Sequence, residues 1–376
     1  MKVLLLSAYD AQSHRHWREL LVSAFSEIEW TVLTLPPRYF NWRIRGNSLS
    51  WAFGERKTLE QNYDMILATS MVDLSTLRGF VPALSFIPTL LYFHENQFAF
   101  PKNERQFESV EPKMLNLYSA LAADHLAFNS DYNRHTFITG VDELLGKMPD
   151  YVPPQISSQL LKKSSILPVP LLDSIFAERE AQSNGVLSLV WNHRWEYDKA
   201  PERFFGAVKR VLNSGVLVDL HIVGQQFRKQ PAVFEEMKSY LEHRFPGRLK
   251  HWGYIESLSE YRNLLSYTDV VISTAIHDFQ GLAVLEAVAA GCVPLLPRRL
   301  CYQEWVDDGF LYDSDLNDPE KESIALANRI LELNKRKSLG EMPCSPDISQ
   351  LSMSALKTQY QEIFEKTILN NGLESI

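Results

Sequence analysis

Short apolar runs with little internal alternation recur along the chain, at residues 3–7, 31–35, 65–68, 89–93 and 125–128 in the first half. They return at 187–191, 218–223, 249–253, 270–273 and 293–296 in the second. Runs of this length, rich in Val, Ile, Leu and aromatics, are what strands buried on both faces look like, and such strands belong to parallel sheets. Between them lie longer amphipathic stretches that predict helices at 13–26, 111–123, 200–214, 231–244, 259–266 and 282–290. The alternation predicts an α/β chain with two Rossmann-like, doubly wound parallel-sheet domains facing a cleft. Pro153, Pro154, Pro168 and Pro170 fall in a stretch without sustained periodicity, which sets the boundary between Pro153 and Asp173. The expected division is an N-terminal domain over 1–168, a second domain over 169–348 and a closing segment over 349–376, helical from about 349 to 369.

Composition narrows this picture without changing it. The 376 residues suit two or three domains at roughly 100–200 residues each. With 45% hydrophobic and 22% charged residues the chain is a folded one, not a disordered one. Its 46 acidic residues against 38 basic ones give a net charge of −8, which excludes non-specific coating of nucleic acid. An RNA partner would need a local basic patch. Cys292, Cys301 and Cys344 show no CxxC spacing, so neither a zinc site nor a disulfide framework is indicated. The apolar start stops at Ser7 with no small-residue cleavage site after it. The longest apolar stretch, 80–93, is broken by Pro82 and Pro88 and is shorter than the roughly 20 residues a bilayer span needs. A soluble, cytoplasmic chain without a membrane partner or an obligate protein partner is expected.

Two segments carry chemistry. From Ser273 to Pro294 the sequence reads as strand, loop, helix, Gly stop and strand. Gly281 lets the backbone approach a ligand closely, and the amides of Gly281 and Leu282 are orphan donors at a helix start, a natural seat for a phosphate. Glu286, one turn inside, can accept from a vicinal diol such as ribose, and Asp278, in the loop ahead, from the hydroxyls of a second sugar. A solvated helix glutamate and a capping aspartate would give the same spacing. The second segment, 190–201, leaves the strand that opens the second domain, at the end where open α/β sheets bind ligands. In it Arg194 and Lys199, five apart, can converge on one dianion, the Arg as a planar fork and the Lys as a point charge. Two solvated surface cations are the alternative.

Together these segments resemble the retaining GT-B glycosyltransferases of glycosyltransferase family 4. That family carries an acid, seven intervening residues and a Glu, with a Gly in the interval, as Asp278, Gly281 and Glu286 do here. It also carries an Arg and a Lys five apart after the first strand of the second domain, matched by Arg194 and Lys199. More specific strings are similar to the tRNA-queuosine α-mannosyltransferase family: Ser13-His14, the aromatic-basic run from Arg38 to Arg45, Ala68 to Leu74, Tyr92 to Pro101, and Trp191 to Glu196. The chain departs from the pattern in having Asp278 where family 4 usually has Glu, and Ala11-Gln12 where a Gly pair commonly precedes the first helix.

The resemblance implies a nucleotide-sugar donor, GDP-mannose, and an acceptor hydroxyl on the queuosine base of a tRNA. It implies retention by front-face attack, with the departing phosphate taking the acceptor proton and Asp278 holding the sugar. Arg194, Lys199, Gly281, Leu282 and Glu286 then bind the donor, whose base lies near a loop at Tyr254. His94 contacts the transferred sugar, or else ties down its own loop. Glu95 and Asn96 orient the acceptor, although Asn96 is equally a turn former. Ser13, His14, Arg38, Trp42, Arg43 and Arg45 complete the acceptor side. Residues 34–57 hold five basic residues against one acid, interleaved with Tyr39, Phe40, Trp42, Trp51 and Phe53. Such a mixture suits RNA phosphates and splayed bases, and a solvated loop with its aromatics in the core is the competing reading. No DxD-type carboxylate cluster stands out, so no metal or other cofactor is expected. Two other functions fit the same residues: a family 4 transferase acting on a small molecule, glycan or lipid, and a non-catalytic nucleotide- or RNA-binding protein on a GT-B scaffold.

Overall fold

The computed structural model describes residues 1–99, 109–176 and 185–370. The chain divides into two compact units, one of residues 1–170 with 353–376 and one of residues 171–352.

The first unit is built on a six-stranded sheet in the order β2-β1-β3-β4-β5-β6. Its strands are β1 (Lys2–Ser7), β2 (Glu29–Thr34), β3 (Met65–Thr69), β4 (Thr89–Phe93), β5 (His125–Phe128) and β6 (Ser164–Ile166). Every neighbouring pair is parallel. β3, β4 and β5 are buried along their whole length, which is why their sequences are unbroken apolar runs. The helices that matter below are α1 (Gln12–Ala24), α2 (Phe40–Gly54) and α3 (Asp131–Leu145).

The second unit repeats the architecture with β7 (Leu187–Trp191), β8 (Val218–Val223), β9 (Leu249–Gly253), β10 (Val270–Ile272), β11 (Val293–Pro297) and β12 (Leu311–Tyr312). They form one parallel sheet in the order β12-β11-β10-β7-β8-β9. Strand order therefore reverses between β7 and β10, and in open α/β sheets the crevice outside such a switch point is where ligands bind. Both loops singled out in the sequence leave the carboxyl ends of these two strands. Around the sheet pack α4 (Pro201–Asn213), α5 (Leu258–Tyr267), α6 (Leu282–Ala289) and α7 (Pro319–Leu339).

The final helix, α8 (Met353–Asn370), belongs to the first unit. Tyr360 pins it there: its hydroxyl accepts from Trp17 Nε1 at 3.0 Å and donates to the Pro168 carbonyl at 2.9 Å. Gln359 donates to the Ile166 carbonyl at 2.9 Å, and the Phe364 ring meets Phe25 and Trp30.

The two expected parallel, doubly wound α/β sheets are the ones observed. Several elements went unseen in the pattern. The stretch between Pro153 and Asp173 is not featureless but holds a helix, Ile156–Lys162, and edge strand β6. α3 and α7 were not anticipated, nor was the two-residue β12. Residues 40–54, where the pattern predicts no helix, are helix α2. Its apolar side chains point both ways, Ile44 and Trp51 inward and Trp42, Leu49 and Phe53 outward, so no single stripe betrays the helix.

Candidate active site

At the carboxyl end of β7 the chain turns through Tyr197–Lys199, Ala200 adopts a left-handed backbone, and Pro201 starts α4. The turn buries Lys199. Its ammonium donates to the His277 carbonyl at 2.6 Å and lies 3.2 Å from Asp198 Oδ2 and 3.7 Å from Asp278 Oδ2. Burial pushes the Asp278 carboxyl up, but the Lys199 charge, the neighbouring imidazoles of His193 and His277 and the Tyr302 hydrogen bond outweigh it and hold the group below the usual carboxylate range. Asp198 is held down in the same way, burial opposing and Lys199 and His277 prevailing. Asp278 has both oxygens engaged: Oδ1 accepts from the amides of Phe279 and Gly281, each at 3.1 Å, and Oδ2 from the Tyr302 hydroxyl at 3.2 Å.

His193 completes the cluster. Burial first, then the Lys199 charge, drives its pKa down to about 3, so the ring is neutral at physiological pH. Its Nε2 is buried without a hydrogen-bond partner. The His193 carbonyl packs on Gly224, where a Cβ would fall 1.8 Å from that oxygen; only glycine lets β8 end there.

Arg194, like Lys199, has carboxylate company. It is half exposed and ion-paired to Glu196 at 3.1 Å, while Lys199 is enclosed by carboxylates. The orphan-amide expectation also needs correcting by one residue. Gly281, in the left-handed region at φ 77°, spends its N–H on Asp278. The open donors are the first-turn amides of Leu282, Ala283 and Val284, which precede the first helical bond, from Leu285 N–H to the Gly281 carbonyl at 2.9 Å. Glu286 lies one turn further on α6. Its Oε2 accepts from the Tyr261 hydroxyl at 3.4 Å, and burial raises its pKa to about 7. Tyr254 is exposed at the carboxyl end of β9, two strands away from β7.

The corresponding edge of the first unit is uncharged at its centre. His14, in the first turns of α1, stacks on His94 beyond β4, with ring centroids 4.1 Å apart and planes 20° apart. Trp17 meets His94 edge-on at 4.7 Å and stacks on Tyr92 at 4.4 Å. Burial lowers the pKa of both histidines; Glu95, Asp10 and the Tyr9 carbonyl partly restore His14, whereas His14 lowers His94 further. His14 Nδ1 and His94 Nε2 are buried without hydrogen-bond partners.

Asn96 is not available to an acceptor. Fully buried, it donates to Asn133 and Thr136 and accepts from the amides of Phe98 and Ala99, so the turn-forming reading is the one the geometry carries. Glu95 is partly buried, and its carbonyl accepts from Ser70. Phe100 and Pro101, the end of that string, lie outside the described residues. The basic run of 34–57 also presents less free charge than its count suggests. Arg43 is buried, Arg45 bridges Asp73 at 2.9 Å and Glu111 at 2.8 Å, and Arg56 pairs with Glu60 at 2.7 Å. Ser13, Arg38 and Trp42 are exposed, with the Arg38 guanidinium 5.6 Å from the Tyr39 ring and the Trp42 ring lying over Gly46.

Comparison with known proteins assigns the two halves separately. Residues 2–171 match the family described as tRNA-queuosine alpha-mannosyltransferase N-terminal, and residues 186–336 match glycosyl transferases group 1. The tRNA-queuosine alpha-mannosyltransferase of Drosophila melanogaster is 27% identical, over 97% of this chain and 97% of that one. The chain is similar, most specifically in its first half, to the tRNA-queuosine α-mannosyltransferase family. It is a group 1 glycosyltransferase. Among solved structures it resembles Anabaena HepE in complex with UDP and glucose, with a TM-score of 0.65, 12% identity, and 97% and 100% of the two chains covered. Sucrose-phosphate synthase from Thermosynechococcus elongatus gives a TM-score of 0.68 at 12% identity, over 98% and 99%. At these identities the likeness is one of fold, GT-B. No helix among the described residues is long and apolar enough to cross a membrane.

The second unit gathers Lys199 and Asp278 into one cluster and sets Gly281, Leu282 and Glu286 along one helix start. Sequence reasoning missed Asn192, His193, Asp198, Tyr261, His277 and Tyr302. Asn192 and His193 stand inside the Trp191–Glu196 string and could have been drawn from it. Tyr261 and Tyr302 are brought in by separate elements and carry no local signal.

Proposed function

We propose that this protein is a retaining transferase that moves mannose from GDP-mannose to the queuosine base of a tRNA. The observation that carries the reading is the meeting, at the carboxyl ends of β7 and β10, of a buried lysine, three open helix amides and an acidic side chain one helical turn beyond them. Mannose and queuosine come from the name of the Drosophila relative, and the guanine from the family resemblance. Breaking the sugar–diphosphate bond builds negative charge on the leaving group. Preorganised cations and amide donors act most on that charge, and Lys199, Arg194 and the amides of Leu282 to Val284 are suited to the task. Tyr254 is assigned to the nucleobase.

A double displacement needs a free carboxylate about 5 Å from its partner acid. Asp278 has one oxygen under two amides and the other under Tyr302 and Lys199, an arrangement suited to holding a sugar and a loop rather than to attack. This supports front-face transfer, the phosphate itself accepting the proton. His94 and His14, neutral and with unpartnered ring nitrogens, suit hydrogen bonds to sugar or acceptor hydroxyls. Ser13, Glu95, Arg38 and Trp42 remain as acceptor contacts.

Purified protein incubated with radiolabelled GDP-mannose and queuosine-containing tRNA is expected to yield label that ribonuclease releases; no labelled tRNA would reject the proposal. The pairing of Arg45 and Arg56 and the burial of Arg43 favour a second reading, a non-RNA acceptor. Label in a ribonuclease-resistant product would establish it.

A further inference from the structure

The carboxylate of Glu286 is held from outside its own helix. Tyr261, on α5, donates its hydroxyl proton to Glu286 Oε2 at 3.4 Å. The same hydroxyl oxygen accepts from Asn192 Nδ2 at 3.0 Å, and that nitrogen gives its second hydrogen to the Ala283 carbonyl at 2.6 Å. Residues from the end of β7, from α5 and from the first turn of α6 are thus joined by one chain of hydrogen bonds. Each member is directional. The Ala283 carbonyl can only accept, so it must face the amide nitrogen of Asn192, and both hydrogens of that nitrogen are then spent. With its acceptor side filled by Asn192, the phenol has only its proton left to offer, and it faces Glu286.

We infer that Asn192 and Tyr261 are positioning residues for nucleotide recognition, a brace that fixes one oxygen of Glu286 and keeps the other for the ribose diol of a nucleoside diphosphate. The inference rests on the reading of Glu286 as the ribose contact. It goes beyond that reading by naming what aims the carboxylate. A second observation points the same way. Asn192 Oδ1, opposite the spent nitrogen, is buried and has no hydrogen-bond partner. An unpaired buried acceptor beside the start of α6 is satisfied when a ligand brings a hydroxyl or N–H to it.

The test is calorimetric titration of the full chain with GDP, UDP and ADP, together with donor kinetics. Tyr261→Phe keeps the ring and removes the proton donor. It is expected to weaken nucleoside diphosphate binding about tenfold and to raise the donor KM by the same factor, with kcat changed less than about twofold. Asn192→Ala should weaken binding similarly, and the double variant should cost little more than Tyr261→Phe alone, because the two act in series. The pH profile adds a readout that loosened packing would not move. The groups that bear on Glu286 are the Tyr261 hydroxyl and the Arg262 charge, with Cys292 acting on Tyr261. Losing the Tyr261 hydrogen bond should move the midpoint of the affinity–pH curve upward. A wild-type chain that takes up no nucleoside diphosphate would overturn the reading of Glu286 and this inference with it. A wild type that binds, with Tyr261→Phe binding equally well and at the same pH midpoint, would overturn the inference alone. So would a kcat loss at unchanged KM, or fully additive variants.

Discussion

The two sheets present opposite electrostatics from the same kind of edge. Beyond β7 and β10 of the second unit stand fixed charges, Lys199 among Asp198 and Asp278, with open amides alongside. Beyond β1 and β4 of the first unit stand two stacked, neutral imidazoles walled by Trp17 and Tyr92. A parallel sheet supplies the place in both, while the loop residues decide whether the place handles charge or handles hydroxyls. On the proposed function that difference would sort the labour, with leaving-group charge met on the second unit and hydroxyls met on the first.

Replacing Lys199 should damage the molecule most. Lys199→Met leaves Asp198 and Asp278 buried without their cation, with an expected stability loss of about 3–5 kcal/mol. Transfer should fall by at least about a hundredfold. Denaturant unfolding and initial rates measure the two. His94→Ala sharpens the contrast: transfer should drop by about a hundredfold, yet nucleoside diphosphate affinity by calorimetry should stay put. An equal loss of nucleotide binding would break the division. Glu286 provides the next step down. Its carboxyl is raised to about 7 and the diol needs the ionised form, so nucleotide affinity should climb through that pH by up to about tenfold per unit below it. Glu286→Gln should flatten the curve. The neutral histidines set a milder, acid-side limit. His193 is depressed to about 3 and His125 and His221 to about 4, in each case by burial first. The unfolded chain therefore takes up protons that the folded one refuses once pH drops below about 6.5. Each should cost about 1.4 kcal/mol of stability at pH 5.5 and nothing above pH 7.5, visible as a falling Tm on acidification. Trp42→Ala, at an exposed position, should leave Tm nearly unchanged, within about 0.5 kcal/mol, and act only on the acceptor KM.

Ten of the twelve strands could be read from the chain, most plainly β3, β4 and β5, where burial on both faces leaves a mainly apolar run. β6 and β12 could not, being three and two residues long and at the sheet edges, with no run to show. α2 escaped because its outer face carries Trp42, Leu49 and Phe53 as well as its inner one. At the site, spacing brought out Lys199, Asp278, Gly281 and Glu286, since a loop and a helix start impose fixed intervals. It could not show that Gly281 gives its amide to Asp278, or that Arg45 answers to Asp73 and Glu111, because those partners are chosen by folding and not by neighbourhood in sequence. Asn192 and Tyr261, 69 positions apart, meet only once the sheet is closed.

The berth of α8 has a consequence for synthesis. The sheet of the first unit is synthesised before the second unit, but Trp17 and the Pro168 carbonyl receive Tyr360 only after residues 171–352 have followed. The central unit, residues 171–352, is contiguous and has every strand it needs beforehand. The contiguous unit is thus complete while the first sheet still waits for residues 353–370, so a stop codon within α8 would injure the half of the protein made earlier.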